Sequence, residues 1–86
     1  MIINNLQFEI ADEDPLGAGT VLAGHTYEFY GFLASNGAWI ILRGDTTTAT
    51  SLVDWLYYGG RTGYNANWAL RDTFTYVNLD SVITRL

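Results

Sequence analysis

Tyr27-Glu28-Phe29-Tyr30-Gly31-Phe32-Leu33-Ala34-Ser35-Asn36-Gly37-Ala38-Trp39-Ile40-Ile41-Leu42-Arg43 is the stretch that decides the fold. Aromatic and β-branched residues dominate it, and such side chains suit a pleated, half-buried surface. In the first run bulk falls on both sides, as in a strand covered on both faces. Ser35-Asn36-Gly37 then carries the Asn-Gly signal of a tight hairpin, because both residues tolerate positive φ. The two runs are expected to pair antiparallel. The first strand is expected within a β-rich stretch over residues 20–33, with Gly24 marking a bulge or bend.

Upstream, Leu6, Phe8 and Ile10 alternate with Gln7 and Glu9, the period-two pattern of a strand with one wet face. That strand is expected to end at Ala11. Asp12-Glu13-Asp14-Pro15-Leu16-Gly17-Ala18-Gly19 reads as a solvated acidic turn, since proline and glycine break a ladder and the acids stay wet. Downstream, residues 44–51 read as a polar connector. Residues 52–58 read as a strand rich in aromatic and β-branched side chains. A short helix capped by Ser51 is the competing reading there. Residues 59–67 are expected as a glycine-containing loop. Residues 68–76 read as a strand with Leu70, Phe74 and Tyr76 inward, and residues 79–86 as a final short strand. The sum is one all-β domain over residues 1–86. Its expected form is a small antiparallel β-sandwich or barrel of five to six short strands.

The composition bounds what such a domain can do. A chain of 86 residues buries only about 60–65% of its unfolded surface. Without cysteine it has no disulfide to help, so dense packing or oligomerisation must stabilise it. Hydrophobic residues make up 49% and charged residues 15%, against a usual charged share of about 25%. Two readings stay open: a partner covers part of the surface, or the protein is a compact monomer with an Asn/Thr/Ser exterior. The net charge is −5, with no lysine and with Arg43, Arg61, Arg71 and Arg85 as the only fixed cations. Nucleic acid needs a basic footprint, so it is excluded as the main partner. An anionic membrane surface is disfavoured for the same reason. No apolar run of ~18 residues is present to span a bilayer, and residues 1–5 lack the form of a signal peptide.

Reaction centres are hard to assemble from these residues. His25 is the only histidine and has no evident nucleophile or acid partner, so it reads as a strand histidine with a satisfied hydrogen bond. Zinc would require ligands the chain lacks. Asp12-Glu13-Asp14 is a conceivable calcium cluster, but it lacks the spacing of a calcium loop and reads as a wet turn. Gly59-Gly60-Arg61-Thr62-Gly63 lacks the lysine and spacing of a phosphate loop. No catalytic residue, cofactor or metal is expected.

The residues left over are aromatic. Trp55, Tyr57 and Tyr58 form one group, Tyr64 and Trp68 another. Exposed, they could stack on a sugar or anchor a protein interface; buried, they are core. Trp55, Tyr58, Tyr64, Trp68 and Arg71 are the interface or ligand candidates, with Tyr64 expected to be exposed on its loop. Arg71 and Asp72 should face opposite sides of a strand, which leaves Arg71 to pair with another acid or to serve an interface.

A wider pattern spans residues 27–86. Gly31-Phe32 precedes a turn, Gly37-Ala38-Trp39-Ile40-Ile41-Leu42-Arg43 follows it, and a Thr-rich connector leads to Tyr57-Tyr58. A glycine-containing loop and Tyr64-x-x-x-Trp68-x-x-Arg71-x-x-Phe74-x-Tyr76 come next, then a short apolar tail. This pattern resembles small proteins encoded among bacteriophage virion genes. The resemblance implies a structural protein of the virion, made in the host bacterial cytoplasm, with no catalytic residues to carry over. Its expected partners are other virion proteins and copies of itself. A small carbohydrate- or receptor-binding module is the alternative, and there a glycan would be the partner.

Overall fold

Local turn chemistry sets the strand pairing. The computed structural model of the chain describes residues 1–15, 25–47, 53–83 and 86. The expected hairpin is present: β3 (His25–Ala34) pairs antiparallel with β4 (Trp39–Thr47), from His25 opposite Thr47 to Leu33 opposite Trp39. Its turn uses one positive φ rather than two. Gly37 alone sits at φ 94°, its N–H donates to the Ala34 carbonyl, and the Asn36 side chain accepts from the Ala38 N–H. Asn36 therefore contributes its carboxamide, and Gly37 supplies the left-handed residue of a longer loop. The Gly24 position and residues 20–24 of the expected strand lie outside the described residues.

Three further strands complete an antiparallel meander in the order β1-β2-β3-β4-β5. β1 (Ile2–Ile3) and β2 (Leu6–Asp14) are joined by Asn4-Asn5, at φ 55° and 63°. Two successive left-handed asparagines make the tight turn that matches strand twist. β5 (Val53–Gly60) is a strand, as expected over its helical competitor. The small antiparallel β fold read from the sequence is thus the fold of the chain, as a five-stranded, curled half-barrel sheet with two short helices.

Four local expectations are corrected. β4 runs on through Gly44, Asp45, Thr46 and Thr47, so the polar connector begins as strand. Asp12, Glu13 and Asp14 belong to β2, not to a wet turn. The expected strand over residues 68–76 is instead the end of helix α1 (Tyr64–Ala69) and a run of turns. The final strand is helix α2 (Leu79–Ile83), where the Asn78 side chain caps the Ser81 N–H at 3.0 Å. Asparagine is among the best N-cap residues, and here the cap prevails over β propensity. Of the three side chains expected inward over residues 68–76, Tyr76 is buried and Phe74 half-buried, while Leu70 is 51% exposed.

Both faces of the sheet are packed, and side-chain alternation divides the core in two. On one face Phe8, Ala34, Ala38 and Ile40 pack with Ile3 and with Val82 of α2. On the other, Tyr27, Phe29, Trp39 and Ile41 pack with Tyr64 of α1 and with Tyr76. The α1 face is nearly all aromatic: Tyr58 and Phe74 stack with centroids 4.3 Å apart, and Trp39 donates its indole N–H to the Thr62 carbonyl at 2.6 Å. A single antiparallel bridge between Tyr57 and Val77 ties the segment joining the helices to β5.

Candidate functional site

The sequence-derived candidates separate onto the two faces. Tyr58, Tyr64, Trp68 and Arg71 lie with the α1 cluster, and Trp55 stands on the opposite face. In the register of β4 and β5, Leu56 lies opposite Arg43 and Tyr57 opposite Leu42. Neighbouring residues of β5 thus project to opposite sides. Trp55, Tyr58 and Tyr64 therefore form no common platform.

The α1 face is organised by a register shift in β2. Ile10 opposes Phe32, but Asp12 opposes Gly31, so one extra residue enters between them. A bulge of this kind turns the following side chains to the other face. Asp12 and Asp14 thereby point at α1 instead of at solvent. The Tyr64 hydroxyl donates to Asp12 Oδ2 at 2.7 Å, and Arg71 Nη2 donates to Asp14 Oδ2 at 3.0 Å. Arg71 also bonds the Trp68 carbonyl at 2.8 Å, and its guanidinium lies 4.4 Å from the Trp68 ring centroid. Tyr64 is 7% exposed, which corrects the expectation of an exposed loop tyrosine. The acids, expected to be wet, stitch the aromatic lid to the sheet.

The spacing of 64 and 68 could have shown part of this, because positions i and i+4 share one helix face, whereas Arg71 lies in the turns after α1. That signal was masked by poor helix chemistry. Gly63 at φ 75° offers no side-chain cap, the first turn has no acid and the last no base.

Beyond this lid, the Arg43 guanidinium is held between Tyr27 and Tyr76, at 4.7 and 4.6 Å from their centroids. The ring faces attract the cation, although the Nε of Arg43 and that of Arg71 are buried without a hydrogen-bond partner. His25 Nδ1–H donates to Asp45 Oδ1 over 2.8 Å, the satisfied bond expected of a strand histidine. Asp45 stands directly opposite Asp54.

Two phenols on this face resist ionisation. Burial first, and then the hydrogen bond to Asp12 and its charge, push the Tyr64 pKa well above 10. Burial likewise raises Tyr76, against the opposing pull of Arg43 and Arg71. Folding holds these protons more tightly than the unfolded chain does. The associated stability is complete below pH 10 and is lost as pH rises beyond it. Ultraviolet titration should therefore show the last phenolates appearing only as the fold melts, with the unfolding midpoint in urea falling steadily above pH 10. A midpoint independent of pH through that range would contradict the buried hydrogen-bonded geometry.

Among the described residues the opposite face is covered only in part. α2 caps the end nearest the hairpin turn, where Phe8, Ala34 and Ile40 lie. Toward the other end Trp55 is 43% and Val53 39% exposed, with Tyr30, Leu42 and Glu28 half-buried beside them, while Ile10, 52% exposed, lies on β2 in the row of Phe32 and Ile40. Gly44 makes the arrangement possible. Trp55 opposes it in β5 and Glu28 opposes it in β3. A Cβ on Gly44 would lie 2.8 Å from the Trp55 ring and 2.9 Å from the Glu28 side chain. The indole therefore leans across β4 toward β3, reaching 6.3 Å from the Tyr30 ring centroid. The Tyr30 hydroxyl donates to Glu28 Oε2 at 3.1 Å. Tyr30 is held above its ordinary pKa by burial, then by that bond and charge, with Glu13 adding to the effect.

Gly44→Ala is a direct test of this saddle. The atoms that must move are the edge of the Trp55 indole and the Glu28 side chain from its Cγ outward, so the stability cost should be about 1–2 kcal/mol. Trp55 should lift off the sheet, seen as a red shift of its emission against a Trp55→Phe reference. An unchanged spectrum would mean that the ring does not rest on Gly44.

A shallow concavity of about 420 Å³ is lined by Ile10, Ala11, Asp12 and Glu13. These are successive residues of one strand, so among the described residues no groups from different elements converge there. Among the described residues no three His, Cys, Asp or Glu side chains gather in a way that could hold a metal ion. Compared with protein-family models, with curated proteins and with solved structures, the chain matches none.

Proposed function

We propose that this protein is a non-enzymatic structural subunit of a bacteriophage particle, in the head, neck or tail. It works by assembling with other virion proteins and with copies of itself. The observation that carries assembly is the half-face bearing the exposed Val53 and Trp55. Exposed tryptophan amid apolar neighbours is the composition of an interface centre, and a domain of this size gains most from covering it. β5 adds to the case. It is the last strand of the sheet, and its first residues, Val53, Asp54 and Trp55, are all exposed. An edge of that kind offers backbone groups for an added strand. The placement in a virion rests on the resemblance across residues 27–86.

The test is solution mass by light scattering after size exclusion, across a concentration series. A discrete ring-sized oligomer, or assembly onto purified particles lacking the subunit, supports the reading. A protein that stays monomeric, ignores such particles and binds a glycan tightly would overturn it. A carbohydrate-binding module is the second reading, favoured by an exposed indole leaning over Gly44 beside the Glu28 side chain. Sugar rings stack on such a surface. Quenching of Trp55 emission by oligosaccharides would favour that reading, and an unmoved spectrum would remove its main support.

A further inference from the structure

Among the described residues, the uncovered half-face carries charge of one sign. Glu28 opposes Gly44, and Glu13 opposes Tyr30, so both project to the side on which Trp55 lies. The described arginines are elsewhere. Arg43 lies between two tyrosines of the α1 face, Arg71 is bound to Asp14, and Arg61 is in the loop after β5. A contact of this face with the same face of a second copy would bring two Glu28 and two Glu13 carboxylates into one interface, and like charges so gathered repel. A partner of the opposite charge meets no such opposition, and a cation over an indole adds its own attraction.

We propose that this half-face docks a cationic segment of a partner protein, with an arginine or lysine side chain laid on the Trp55 indole and hydrogen-bonded to Glu28. Arginine fits best. Its flat guanidinium can stack on the indole while its N–H groups reach the carboxylate at the ring's edge. Val53, two residues before Trp55 on the same face of β5, flanks the contact and covers the apolar part of the segment. The inference rests on the assembly reading and names the chemistry of the partner.

The experiment is calorimetric titration of the full chain with a capped hexapeptide of alternating threonine and arginine. The glutamate counterpart of that peptide and xylohexaose serve as parallel ligands. Binding of the arginine peptide alone is expected. Trp55→Ala and Glu28→Gln should each weaken it by about fivefold or more, and Trp55→Phe should retain part of it. Glu9→Gln is the control for general attraction to an acidic chain, since Glu9 opposes Leu33 on the other face. Wild-type affinity in Trp55→Ala, or equal losses in Glu9→Gln and Glu28→Gln, would overturn the proposal. So would Trp55-dependent binding of xylohexaose with no binding of the arginine peptide, which would mark a glycan site. Self-association that vanishes in Trp55→Ala would assign the face to a second copy instead. In that last case the assembly reading survives while the cationic partner falls. Loss of assembly onto particles with peptide binding intact would show the reverse.

Discussion

Gly31→Ala should destabilise the protein by about 3 kcal/mol, combining overpacking of about 1–3 kcal/mol with damage to a charge-assisted hydrogen bond. Gly31 is buried in β3 between Asp12 of β2 and Ile41 of β4. A Cβ there would collide with the Tyr64 hydroxyl, and would lie 2.9 Å from the ring carbon bearing it and 3.0 Å from the Trp68 ring. The helix cannot yield freely. Tyr64 is bound to Asp12, and the next turn is anchored by Arg71 to Asp14. The expected loss is a large share of the roughly 4–13 kcal/mol typical of a domain this size. Urea denaturation followed by tryptophan emission would measure it. Introduced into a Tyr64→Phe background, the same alanine should cost less than half as much, because the colliding oxygen is gone. Simple additivity of the two changes would place the cost somewhere other than this contact.

Phe29→Ala should cost about 3–5 kcal/mol, the range for emptying a buried phenylalanine site. Phe29 is 1% exposed at the centre of the α1 face. Its ring lies 6.3 Å from Tyr27, 5.9 Å from Tyr76 and 6.0 Å from the Arg71 guanidinium. These groups are held by other bonds, so the cavity cannot collapse easily. The sheet is shared by both cores, so loosening one face should loosen the other. Amide exchange in α2, on the far side, is expected to accelerate together with exchange in α1, as in one cooperative unit. Protection of α2 that survives while α1 exchanges freely would show two independent halves.

Strand alternation and turn residues were legible in the chain. Asn36-Gly37 announced the central hairpin, and the aromatic character of residues 52–58 announced β5. The Asn4-Asn5 turn was equally local, lying between Ile3 and Leu6, and its signal was there to be used. The helices were harder to read. Residues 64–69 hold tyrosine, tryptophan and two asparagines, which favour other conformations in isolation. Their helix is fixed by contacts made far away in sequence, at Asp12 and, through Arg71, at Asp14. In α2 the short cap at Asn78 competed with Val82 and Ile83, which as β-branched residues read equally well as strand.

The candidate site divides in the same manner. Trp55 was found from composition, but its neighbours were not. Glu28 and Tyr30 lie on a strand that is not adjacent to β5, and only Gly44, lacking a side chain, lets the indole reach them. Tyr64 reads as a surface residue because it falls in a glycine-containing loop, yet the bulge in β2 brings a carboxylate over it. The sequence by itself determined that this chain is a small, mostly β, weakly charged domain, because periodicity, propensity and turn residues act over a few neighbours. Only the tertiary structure decided which face each aromatic side chain occupies. A single extra residue in β2 reverses the facing of Asp12, Glu13 and Asp14, and such a shift leaves no periodic mark in the chain.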